Sequence, residues 1–94
     1  MNIGNAIKTV RTLRGMTLSV VADRASLSAS YVSLIEKGQR HPNLDVISTI
    51  AAALEVPVAI LLFLSADPND LEGIDETTRD AFSKSILSII QESK

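Results

Sequence analysis

Most of the side chains that could bind a polyanion lie in the first 41 residues. This segment holds six lysines and arginines against two acids, a balance of +4, whereas residues 42–94 hold three against nine, a balance of −6. A basic segment suits phosphate groups, and an acidic one favours solubility and keeps a polyanion from binding on the wrong side. A soluble protein can also acquire such a split by chance, so the charges alone leave both interpretations open.

Other chemistries have little support in the residue content. The chain has no cysteine and one histidine, His41, so neither a disulfide nor a zinc-thiolate site is expected. No nucleophile stands in a pattern with a base, and no glycine-rich phosphate loop occurs. We therefore expect no enzyme activity, no metal and no cofactor.

Apolar residues recur at helical spacing along the chain and predict an all-α fold. The predicted helices are, in order, Ile3 to Leu13, Leu18 to Ala25, Ala29 to Lys37, Leu44 to Leu54 and Val58 to Leu64. Side chains suited to N-caps precede three of these helices, at Thr17, Ser28 and Asn43, and Gly15 and Gly38 follow two of them. In helix 4 we expect an inward face made of Leu44, Ile47, Ile50, Ala51 and Leu54.

The connection between helices 2 and 3 is the most informative local feature. Only Ser26, Leu27 and Ser28 separate the two apolar stripes. A connection of three or four residues makes two helices cross steeply. The sequence therefore predicts a helix-turn-helix unit.

The remaining residues, 66–94, are predicted to form a connector and an amphipathic last helix. The apolar side of that helix carries Phe82, Ile86, Ile89 and Ile90. Such surplus apolar surface usually marks an interface, so we expect these residues and Phe63 to contribute to a dimer. The alternative, that the helix folds back on its own core, stays open. The start of the chain has no signal-peptide layout and no apolar run long enough to span a membrane, so we expect a soluble, cytoplasmic protein.

Several motifs together resemble the phage-repressor type of helix-turn-helix, the XRE or Cro and lambda-repressor family. The resemblance runs from Ile7 to Leu62. The matching segments are Arg-Gly-Met-Thr at 14–17, Ala-Asp-Arg-Ala at 22–25, Ser-Tyr-Val-Ser at 30–33, Glu-Lys-Gly at 36–38, Pro-Asn-Leu at 42–44 and Val-Pro at 56–57. It implies a five-helix domain over residues 1–65 that docks its third helix in the major groove of DNA, as a two-fold dimer on a pseudo-palindromic operator.

The resemblance also implies a function and partners. It suggests a sequence-specific transcriptional regulator, a repressor in particular, whose partners are operator DNA and a second copy of the chain. An antitoxin-like protein that binds another protein and regulates its own operon is the alternative. The acidic tail and apolar last helix would also suit that use.

The family positions assign roles to individual residues. Arg11 and Glu36 match a partly buried ion pair that locks helix 1 to helix 3. The predicted base contacts are Ser28, Ala29, Ser30, Ser33 and Leu34, and the predicted phosphate contacts are Arg14, Thr17, Lys37, Gln39 and Arg40. The chain departs from the family at Ala29 and Leu34, where long polar side chains are usual, and at Leu18, which replaces a phosphate-binding Gln. Direct base discrimination is therefore expected to be modest and to favour thymine-containing steps, with DNA shape contributing.

Overall fold

The computed structural model describes residues 2–66 and, beyond them, Asp80, Lys84, Leu87 and Ser88. The five helices are α1 (Ile3–Leu13), α2 (Leu18–Arg24), α3 (Ala29–Glu36), α4 (Leu44–Leu54) and α5 (Val58–Ser65). No strand occurs among the described residues, and the predicted all-α fold is confirmed. The four later residues are helical and exposed, whereas Phe82, Ile86, Ile89 and Ile90, predicted to form an apolar face, lie outside the described residues.

Polar side chains cap the first four helices. The side-chain oxygen of each cap accepts a hydrogen bond from the backbone N–H three residues later, at 2.9–3.2 Å, and these caps are Asn2, Thr17, Ser28 and Asn43. Each bond satisfies one of the N–H groups that lack a partner inside the helix. The starts of α2, α3 and α4 therefore lie where the sequence predicts them.

The same four helices end in a common backbone arrangement. A residue with positive φ follows each one, at Gly15, Ser26, Gly38 and Glu55. Two backbone hydrogen bonds turn back to the last helical carbonyls in every case, as when Gly38 N donates to Ile35 O and Gln39 N donates to Leu34 O. This is the Schellman arrangement, which favours glycine because a Cβ is disfavoured at positive φ.

Helix α1 lies at the centre of the packing, in contact with α3, α4 and α5, while α2 packs on α3 and α4. The largest apolar side chains with no solvent exposure are Ile7, Val10, Val21, Val32, Ile35, Ile50, Leu54 and Leu61. A backbone hydrogen bond of 2.6 Å from Asn2 N to Ser65 O joins the start of α1 to the end of α5.

The predicted inward face of α4 is wrong at its first position. Leu44 is 59% exposed, whereas Ile47, one turn later, is 7% exposed and belongs to the core. Leu44 directly follows the N-cap, so its side chain lies beyond the point where α4 meets its neighbours. Leu13, the last residue of α1, is likewise 55% exposed.

Among the described residues, no single helix has the length and apolar content needed to cross a membrane. Helices α4 and α5 reach that length and composition only as a pair, and the chain bends by 111° between them.

Candidate nucleic-acid interface

Helices α2 and α3 are joined by the four residues 25–28 and pack directly on each other. Ser26 adopts a φ of 57°, and Leu27 N donates to Ala22 O at 2.9 Å, which reverses the chain at the end of α2. Leu27 packs against the core, and Ser28 then caps α3. The turn is therefore fixed by its own hydrogen bonds and by one apolar anchor.

Helix α3 has a buried side and an open end. Val32 and Ile35 have no solvent exposure, and Tyr31 packs against the same core. The three residues at the start of the helix, Ser28, Ala29 and Ser30, are exposed, while the next predicted base contacts, Ser33 and Leu34, are half-buried. The exposed start of α3, residues 28–30, thus offers two hydroxyls and one methyl group to a partner.

The other end of α3 is held by Arg11 of α1. Arg11 Nε donates to Glu36 Oε2 at 2.8 Å, and Arg11 Nη2 donates to Glu36 Oε1 at 3.0 Å. Arg11 Nη1 also donates to the carbonyl of Met16 at 3.1 Å. The Arg11 and Glu36 side chains are 15% and 6% exposed, so this bidentate pair is shielded from water. These are the two residues that the family resemblance implies to pair.

Hydrogen bonding to Glu36 raises the pKa of Arg11 above its ordinary value, against the opposing effect of burial. A raised pKa in the folded state means that Arg11 stabilises the fold fully at any pH below the ordinary titration range of arginine. The stabilisation by Arg11 would be lost only at a pH above that range. Arg11 is therefore charged at and around neutral pH.

Gly4 is a structural residue that sequence reasoning missed. It is buried in the first turn of α1, and a Cβ at this position would overlap the carbonyl oxygen of Ile35 and lie 2.9 Å from that of Glu36. Only a residue without a side chain lets the two helices approach this closely. No local pattern reveals this contact, because it depends on the distance between two helices that are distant in sequence.

Four of the predicted phosphate contacts are accessible. Thr17, Lys37, Gln39 and Arg40 are all exposed. The guanidinium carbon of Arg40 lies 5.9 Å from the centre of the Tyr31 ring, a cation–π distance. This contact holds the cation of Arg40 beside α3.

Arg14 lies in a different environment from the other predicted phosphate contacts. Its side chain is 3% exposed, and its Nη2 is 3.5 Å from Glu55 Oε1 at the end of α4. Arg24 Nη1 donates to the same oxygen at 3.1 Å. The buried Arg14 side chain therefore joins the end of α1 to the end of α4, and only a rearrangement of this contact would let it reach a phosphate.

In the part of the chain that the structure describes, no three His, Cys, Asp or Glu side chains lie close enough together to hold a metal ion.

Comparison with known proteins assigns this architecture to a family. A family model described as helix-turn-helix matches residues 7–61, more than half of the chain. The transcriptional regulator ClgR of Mycobacterium tuberculosis is 35% identical over 60 residues, which cover 64% of this chain and 54% of that protein. The immunity repressor protein of Bacillus phage phi105 is 34% identical over 62 residues, which cover 66% of this chain and 43% of the repressor.

A solved structure of another protein is also similar to this chain. The restriction-modification controller protein C.AhdI from Aeromonas hydrophila superposes with a TM-score of 0.62 at 32% identity, covering 64% of this chain and 91% of that one. The chain spans about half the length of the curated relatives that it matches. The chain belongs to the helix-turn-helix family of the XRE type, a family of DNA-binding transcription regulators.

Proposed function

We propose that the protein is a sequence-specific transcriptional regulator, and specifically a repressor, that inserts α3 into the major groove of operator DNA. The observation that carries this proposal is the exposed start of α3, residues 28–30, presented by a helix whose remaining surface is largely packed. Its family membership and its similarity to a phage immunity repressor support the same function. We also propose a cytoplasmic location, which is consistent with a transcription regulator of this family.

Direct base reading would come from short side chains. The hydroxyls of Ser28 and Ser30 can donate or accept at the edge of almost any base, and the methyl of Ala29 suits the methyl group of thymine. Ser33 and Leu34 would contribute from the next turn, where they are half-buried. Base discrimination in each half-site would be modest, and DNA shape would supply the remainder.

Phosphate contacts would position α3 in the groove. The accessible groups are Thr17 at the start of α2 and the cluster Lys37, Gln39 and Arg40 just after α3. Lysine and arginine contacts of this kind release counterions from DNA, so they contribute affinity that falls with salt and is independent of sequence. The Tyr31 ring would orient the guanidinium of Arg40 toward the phosphate backbone of the DNA.

A homodimer would double this small reading surface. Two copies related by a two-fold axis would place their α3 helices about 34 Å apart, one turn of DNA, on a pseudo-palindrome. Phe63 packs partly against its own core, and Leu64 beside it is 36% exposed, so the end of α5 retains apolar surface for a second copy. Analytical ultracentrifugation of the free protein should show a dimer, and a monomer on operator DNA would contradict this part of the proposal.

A salt titration of DNA binding tests the proposal. Duplexes that the protein enriches from a random library would be used at several salt concentrations, with the wild type, Lys37→Ala and Arg40→Ala. Each substitution should reduce the slope of log K against log salt by about one unit on every duplex, because one phosphate contact is lost. Lys84→Ala removes an exposed helical lysine outside the proposed interface and serves as the charge-matched control.

Two results would contradict the proposal. Failure of the wild type to enrich any sequence would remove the sequence-specific function, and unchanged slopes for Lys37→Ala and Arg40→Ala would remove the proposed orientation. Copurification of a tightly bound protein, together with a lack of enrichment, would favour the antitoxin-like alternative.

A further inference from the structure

The first turn of α1 rests on the last carbonyl groups of α3, with Gly4 at the point of contact. A Cβ on Gly4 would overlap the carbonyl oxygen of Ile35 and would also lie 3.1 Å from the carbonyl carbon of Glu36. These are backbone atoms, so no side-chain rotation can relieve the overlap. A larger residue at position 4 can be accommodated only if α3 moves relative to α1.

Arg11 makes a second contact with the same end of α3. It lies seven residues after Gly4 and therefore on the same side of α1. Its two hydrogen bonds to the Glu36 carboxylate fix the rotation of the last turn of α3, while Gly4 fixes its distance. Together they determine where the end of α3 sits.

A displacement at this end would reach the other end of the helix. Helix α3 has eight residues, about 12 Å, and a helix this short moves as a rigid body. Its start is held by a cap bond within the helix and by the turn from α2. Because α3 is rigid and Leu27 anchors the turn in the core, a displacement of the last turn would tilt α3 about that anchor and alter the depth and direction at which residues 28–30 are presented.

The short side chains at the start of α3 make this shift consequential. A long arginine or glutamine can reach a base edge from slightly different backbone positions by changing rotamer. A serine hydroxyl or an alanine methyl has no such reach, so its distance from a base edge is set by the backbone. Interaction groups must be held within roughly 0.5 Å to function fully.

We propose that Gly4 is a positioning residue for DNA recognition. Its missing side chain sets the depth at which α3 presents residues 28–30, and so determines base discrimination without touching DNA. This inference rests on the proposed function, because it deepens the account of the same interface.

The test compares specific and non-specific binding by Gly4→Ala. The probes are a duplex enriched by the wild type and a scrambled duplex of equal composition, measured by fluorescence anisotropy at a temperature where circular dichroism shows a folded protein. Affinity for the enriched duplex should fall about tenfold, the loss typical of one mismatched base pair. Affinity for the scrambled duplex and the salt slope should stay within about twofold of the wild type, because the phosphate contacts remain.

Ile60→Val is the matched control. It disturbs the core too, but by removing one carbon from α5, which packs on α1 and α4 and not on the end of α3 described above. Its ratio of specific to non-specific affinity should equal that of the wild type when both are folded. This control separates a shift of α3 from a general loss of stability.

The outcomes distinguish the inference from the function on which it rests. If the wild type enriches no duplex, the proposed function fails. If the wild type discriminates and folded Gly4→Ala discriminates equally well, the positioning role of Gly4 is overturned.

A second variant covers the case in which Gly4→Ala does not fold. Arg11→Lys keeps the charge but cannot hold both Glu36 oxygens and the Met16 carbonyl, so the same end of α3 is loosened. It should reduce discrimination in the same direction. Full discrimination by folded Arg11→Lys would then overturn the inference.

Discussion

The two ends of α3 differ in how they are held. At the C-terminal end, the Glu36 carboxylate is 6% exposed and accepts two hydrogen bonds from Arg11, and Gly4 presses on the adjacent carbonyls. At the N-terminal end, Ser28, Ala29 and Ser30 are exposed, and Ser28 Oγ accepts a local capping hydrogen bond from Tyr31 N.

Two parts of the domain are therefore distinct: the packed helices that hold α3, called the frame, and the exposed start of α3, residues 28–30, called the reading surface. The C-terminal end is held by packing and by a shielded ion pair, so substitutions there should lower stability and should affect DNA binding only indirectly, by displacing α3. The N-terminal end contributes little to the fold beyond its cap, so substitutions there should act mainly on DNA binding.

Removing Arg11 should have the largest effect. Arg11→Ala leaves the Glu36 carboxylate shielded from water at a helix C-terminus, where a negative charge is unfavourable. The free energy of unfolding should fall by about 3 kcal/mol, the lower part of the range for breaking a buried pair, because Arg11 retains some solvent exposure. Urea denaturation followed by circular dichroism measures this loss.

Arg24→Ala is the matched comparison for Arg11→Ala. Arg24 also pairs with a glutamate, Glu55, but the two side chains are 47% and 56% exposed. An exposed pair contributes at most about 1 kcal/mol. Equal losses for the two arginine variants would contradict the view that the frame depends on the shielded pair.

Ser28 allows capping and DNA contact to be separated. Ser28→Ala removes the hydrogen bond to Tyr31 N and should lower stability by about 1 kcal/mol. Ser28→Asp restores a good cap, so it should recover that stability, yet it places a negative charge beside the phosphates. Its affinity for enriched DNA should fall by about tenfold or more, because like charges at an interface are repulsive. Wild-type affinity for Ser28→Asp would place Ser28 outside the interface.

Much of the frame could be predicted from local sequence. Thr17, Ser28 and Asn43 cap the helices that they were expected to cap, because capping depends on residues only three positions apart. Gly15 and Gly38 mark helix ends for a similar reason. The pairing of Arg11 with Glu36 came from the family resemblance.

The features that could not be predicted depend on tertiary distances or on exceptions to local preference. Glu55 adopts a φ of 61°, a conformation that costs a non-glycine residue on the order of 1 kcal/mol, while its carboxylate faces both Arg14 and Arg24. The burial of Arg14 and the close contact at Gly4 arise only when α1, α3 and α4 come together. Periodicity carries no information about such distances.

The most direct test of the central claim is to change the base preference of the protein at Ala29. Ala29 is exposed at the first position of α3, so Ala29→Gln should change stability by less than about 0.5 kcal/mol. A glutamine there can bind adenine through two hydrogen bonds. Selection from random duplexes by the two proteins should therefore yield the same half-site except for a new preference for adenine at one position. An unchanged selected sequence would contradict the claim that the exposed start of α3 reads DNA.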